Sequence, residues 1–159
     1  PGRLHSQTGE RAMSTVLNEE ALAQSWLRDY LAADATLGAM VSGVWLHSVP
    51  IKEPLPVVKI DRQDATDLYV IGLYRVWDDL LFLVRGCYHW TGSGQQDWTD
   101  VTAIAARLDV LLHKHSEVTT NGLQVDVFRE QSFIDEQENA GGGLILYAGG
   151  MYRIRAHAT

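Results

Sequence analysis

The chain has 159 residues, with 20 acidic and 13 basic side chains and a formal net charge of −7. That length fits one domain able to bury a core without staples. Its 46% hydrophobic and 21% charged residues exclude a chain that is disordered throughout. The acidic balance excludes a protein that grips nucleic acid through a broadly basic surface.

Pro1–Ala12 is polar and aperiodic and has no apolar core of a secretory signal. It is expected to be leader or extraneous sequence, disordered or extended, with the native chain starting at Met13 and a single domain over residues 13–159. Asn18 is a helix cap with Glu19 and Glu20 in the first turn. Leu22, Trp26, Leu27, Tyr30 and Leu31 then share one face of a helix over about Glu19–Ala33. Asp34 is placed to cap a short helix over Ala35–Val41 that ends near Gly43.

Val44–His47 reads as a short strand, Val49–Leu55 as an extended loop set by Pro50 and Pro54, and Val57–Arg62 as a second strand. Val70–Trp77 and Leu80–Trp90 are strand-like runs separated by Asp78-Asp79, the spacing of a two-residue hairpin. Leu81, Leu83, Arg85 and Cys87 fall on one face of the second arm. Phe82, Val84, Tyr88 and Trp90 fall on the other, with Gly86 the candidate site of a bulge. Both faces are apolar, so both need cover, one from a helix and one from another element or subunit.

Thr91–Gln96 reads as a flexible loop. Trp98–His115 is a strong amphipathic helix with Val101, Ile104, Ala105, Leu108, Leu111 and Leu112 on its stripe. Leu123–Glu130 is a strand. Glu130–Glu138 holds four acids and no base and runs into Asn139 and Gly141–Gly143, so part of it reads as a long acidic loop. Leu144–His157 is a last strand region, interrupted by a turn or bulge at Gly149-Gly150. The order predicts an α+β fold. Its mostly antiparallel sheet of four to six strands has an N-terminal helix and one long amphipathic helix packed on one face.

No catalytic motif stands out. His113 and His115 are two apart, so their rings diverge on a helix, and a solvated helix end suits them better than a metal. Asp61, Asp64 and Asp67 lack the spacing of a calcium loop and read as a solvated loop. The glycine run is not followed by Lys-Ser/Thr, and there is no G-x-S-x-G. The one cysteine, Cys87, excludes an intrachain disulfide and reads as a buried thiol in a reducing compartment. The sequence therefore predicts neither an enzyme nor a bound cofactor or metal. Of five tryptophans, about three are expected in the core and any exposed one at an interface.

Taken in order, several segments resemble the tail-completion, or tail-terminator, proteins of long-tailed bacteriophages. They are Val44–Pro50 (VWLHSVP), Ala65-Thr66-Asp67-Leu68, Leu80–Arg85 (LLFLVR), the helix Trp98–His115 and Leu146–Arg155 (LYAGGMYRIR). The similarity covers nearly all of Met13–Thr159. It implies a non-enzymatic virion protein of the head–tail junction, assembled in the host bacterial cytoplasm. Such a protein forms a ring, commonly of six copies, that ends tail-tube polymerisation. Its implied partners are further copies of itself, the tail tube protein, a head-completion or connector protein, and genomic DNA passing through the lumen without specific binding. Trp77, Asp78, Asp79, Trp90, Arg153 and Arg155 are the candidates for subunit or tail contacts, and Asp135, Glu136 and Glu138 for the lumen. The alternatives are another neck protein, a head-completion or adaptor subunit, or a small metal-dependent hydrolase built on His113, His115 and the Asp61–Asp67 acids.

Overall fold

A computed structural model describes residues 8–69, 75–93 and 95–158. Its elements in chain order are α1 (Thr8–Ala32), α2 (Ala35–Gly38), β1 (Val44–Leu46), β2 (Val57–Tyr69), β3 (Arg75–Trp90), α3 (Thr99–Leu112), β4 (Ser116–Val118), β5 (Leu123–Glu138) and β6 (Leu144–Ala158). Six strands form one curled sheet in the order β1-β2-β3-β6-β5-β4. Only the β1–β2 pair is parallel. The α+β class and the packing of both long helices on the sheet agree with the sequence expectation.

The helices cover one face. Ala23, Leu27 and Leu31 of α1 and Ile104, Leu108 and Leu112 of α3 pack on Val58 and Ile60 of β2 and on Leu80, Phe82 and Val84 of β3. Tyr152, Ile154 and Ala156 of β6 and Leu123, Val125 and Val127 of β5 complete this core. Each fully buried Leu or Ile contributes about 1.5–3 kcal/mol of transfer free energy. A smaller cluster joins Val101 to Leu146 and Ala148, with Tyr88, Trp90 and Leu144 against it.

Asp34 caps α2 as expected, accepting from Leu37 N at 2.7 Å, but α2 ends at Gly38 rather than Val41. Arg107 of α3 closes on the same carboxylate through Nε at 3.0 Å and Nη2 at 2.5 Å, tying the two helices together. α1 begins at Thr8, well before Glu19, so residues 8–12 are helical rather than extended; residues 1–7 lie outside the described residues. α3 stops at Leu112. His113 turns extended and Lys114 takes a φ of 63°, so the expected run to His115 is cut short.

The sheet differs from the expectation in three places. Asp78 and Asp79 do not form a turn; they lie inside β3, 2% and 7% exposed. The hairpin is instead β2–β3, paired from Val57↔Cys87 to Tyr69↔Arg75. Of the first arm expected at Val70–Trp77, residues 70–74 lie outside the described residues. The acidic segment Glu130–Glu138 is strand throughout, not loop, and pairs with β6 out to Glu138↔Leu144. Only Asn139–Gly143 turns, closed by Gly142 N to Asn139 O at 2.8 Å and by φ of 92° and 79° at Gly142 and Gly143.

Third, neither glycine break exists as anticipated. β3 and β6 pair without a register shift from Asp78↔Ala156 to Trp90↔Leu144, through both Gly86 and Gly149-Gly150. The glycines serve close approach. A Cβ on Gly86 would lie 2.7 Å from Ile104 Cγ2, and one on Gly149 would lie 2.0 Å from Val84 O. Gly86 thus lets α3 press onto the sheet, and Gly149 lets β6 cross β3 at contact distance. The register shifts fall instead at Arg62/Asp64 and Leu68/Tyr69 in β2 and at Arg129/Gln131 in β5.

Candidate assembly surfaces

The face of the sheet away from the helices carries the odd-numbered residues of β3 from Trp77 to His89. At one end, Arg153 of β6 donates through Nη1 to Asp79 of β3 and through Nη2 to Glu130 of β5 at 3.2 Å. Arg155 Nε lies 3.6 Å from the other oxygen of Asp79. One guanidinium therefore fastens three adjacent strands. Arg153 also holds the Glu130 carboxyl below its ordinary value, and the two carboxylates hold the Arg153 guanidinium firmly protonated.

Toward the other end, Asp61 accepts from Arg85 Nη2 and lies near Lys59 Nζ, both at 3.1 Å. The Arg85 guanidinium sits 4.6 Å from the Tyr147 ring centre and 5.5 Å from that of Phe133. The chain between β1 and β2 folds over this end. Val49, Pro50, Ile51, Glu53 and Leu55 border a recess of about 380 Å³ whose floor includes Val57, Cys87 and Tyr147. Burial there pushes the Cys87 thiol up to about 11, which fits the expected inert cysteine.

The covering segment has a defined tip. Glu53 N donates to Pro50 O at 2.9 Å, a turn with Ile51 and Lys52 at its corner, and Ser42 N anchors the returning chain on Pro56 O at 2.8 Å. Ile51 is 103% exposed. On the opposite side of the sheet, β4 covers only Gln124–Asp126 of β5. Lys114 and His115 bond Val127, and beyond it β5 runs as an edge with Ile134 66% exposed. Between this stretch and α3 lies a groove of about 300 Å³ lined by Ala105, Ala106, Asp109, Arg129, Ser132 and Ile134, among others.

The candidates named from sequence separate accordingly. Trp77 tilts over His157 at 5.4 Å on the open face, and Trp90 packs in the smaller cluster on the helix side. Asp78 is buried on the helix side, while Asp79, Arg153 and Arg155 form the triad just described. Asp135 pairs across from Tyr147 and shares the open face; Glu136 and Glu138 pair with Leu146 and Leu144 and point to the helix side. All five tryptophans are half-buried, so none of them is a fully buried core residue.

His113 is the solvated helix end expected of it, the exposed C-cap of α3, with Nδ1 accepting from Arg129 N at 3.3 Å. His115 is not: it packs against Tyr30 at 4.5 Å and Trp26 at 5.8 Å. Asp61, Asp64 and Asp67 all lie on β2 rather than in a loop. Among the described residues no group of three or more His, Cys, Asp or Glu is placed to hold a metal ion. The Ile51-Lys52 tip, Ile134 and the Arg85 cluster lie outside the residues that the sequence pattern singles out. A proline-bounded apolar residue beside a lysine was the available signal for the first.

No protein-family description matches the sequence, and no curated protein matches it either. A solved structure does match the fold: a chain described as part of the "Virion of native gene transfer agent (GTA) particle". It aligns with a TM-score of 0.60 at 18% identity, over 82% of this chain and 91% of that one.

Proposed function

We propose that this protein is a structural subunit of a phage-like virion, forming a ring at the head-proximal end of the tail tube. The ring ends tube polymerisation and joins the tail to the head connector. The observation that carries this reading is the shared fold with a chain of a gene transfer agent virion, over 82% of this chain and 91% of that one. The order of sequence segments resembling tail-terminator proteins supports the narrower role. Partners on this reading are copies of the chain, most simply six, with the tail tube protein on one side and a head-completion or connector protein on the other.

The open face of the sheet suits the lumen. Its basic groups are held against acids: Arg85 and Lys59 on Asp61, and Arg153 on Asp79 and Glu130. Asp135 makes no ion pair among the described residues and offsets the one cation in excess where Arg85 and Lys59 share Asp61. A wall whose cations are already matched by carboxylates gives phosphate little to grip and lets DNA slide. Native mass measurement over a range of concentrations tests the proposal. One closed oligomer of fixed stoichiometry is expected, and a chain that stays monomeric into the millimolar range overturns the ring.

A further inference from the structure

We infer that adjacent copies join by seating the Ile51-Lys52 tip of one in the groove between α3 and Ile134 of the next, with Lys52 directed to Glu136 farther along the same strand. This rests on the ring reading and deepens it. Tip and groove lie on opposite sides of the sheet but at the same level. The rung Val57–Cys87–Tyr147–Asp135 runs from the strand that follows the tip straight to the acidic edge. Three interstrand steps of about 4.8 Å separate the two sides, so one copy cannot satisfy both itself.

The chemistry of the two sides is complementary. Ile51 and Ile134 are two of the most exposed large apolar side chains among the described residues. Lys52 stands beside the first. Glu136 lies two residues beyond the second on the same side of β5. Neither Lys52 nor Glu136 makes an ion pair among the described residues. The small side chains of Ala105, Ala106 and Ser132 leave the groove room for a branched aliphatic group. Because tip and groove lie at opposite edges of the sheet, a copy seated at one edge leaves the other free for the next copy, which is the head-to-tail arrangement that closes a ring.

The test uses the full chain. Ile51→Cys and Ile134→Cys are prepared separately, mixed and treated with a short bis-maleimide. Buried Cys87 supplies little background. The mixture is expected to give covalent dimer that neither variant gives alone. Lys52→Glu is expected to weaken association roughly fivefold per contact, and adding Glu136→Lys is expected to restore it. If the unmodified chain forms a closed oligomer but the mixture gives no more dimer than its components, the pairing is wrong and the ring stands. If the unmodified chain stays monomeric and no dimer is captured, both fail.

Discussion

Arg153 is the side chain on which one end of the sheet's open face converges. Its guanidinium neutralises a carboxylate, Asp79, that is 7% exposed, and reaches Glu130 across the neighbouring strand. Arg153→Ala strands Asp79 with only the more distant Arg155, and a loss of about 2–3 kcal/mol is expected in chemical denaturation. Arg155→Ala should cost well under half of that, since its contact is 3.6 Å and half-exposed. Gly149 makes the complementary point about space. Its missing side chain lets Val84 O sit where a Cβ would be. Gly149→Ala should destabilise by about 3 kcal/mol or more, because the clash is with backbone that cannot rotate away. Comparison with Gly141→Ala, whose nearest neighbour is a side-chain nitrogen at 3.7 Å, separates a steric cost from a general glycine effect.

Elements were legible in the sequence wherever periodicity and burial agreed. α1 and α3 carry apolar stripes that the core uses, and Asp34 signals a cap that the structure contains. The β2–β3 hairpin was misread because two adjacent aspartates interrupt an apolar run, which is the pattern of a turn. They stay in the strand because Arg153 and Arg155, more than seventy residues away, supply the charge that keeps Asp79 inside. No local rule sees that partner. The far half of β5 was misread for the converse reason. Residues 130–138 are exposed on nearly every side, so neither period nor hydrophobicity marks a strand; only the backbone pairing to β6 defines it. The open-face cluster at Arg85 was equally hidden, because Asp61, Arg85, Phe133 and Tyr147 come together only once β2, β3, β6 and β5 are in order.

Across the whole molecule, acid should loosen the fold through its paired carboxylates. Asp34, bonded by Arg107 and Leu37, and Glu130, bonded by Arg153, both titrate below their ordinary values of 3.8 and 4.5. A depressed carboxylate contributes its stability above the unfolded value and loses it as pH falls through the folded one. Melting temperature should therefore change little from pH 7 to about 5 from these groups and fall below about pH 4.5. The fall should be shallower in Arg153→Ala, where one of the pairs is already gone. The two long hairpins, β2–β3 and β5–β6, point to opposite ends of the sheet, and β3 and β6 each run its length side by side. A pull applied between the two tips would load the bonds joining β3 to β6 all at once, in shear, rather than peeling them open in succession. The protein is thus built like a lap joint, strongest along the direction in which its own strands run.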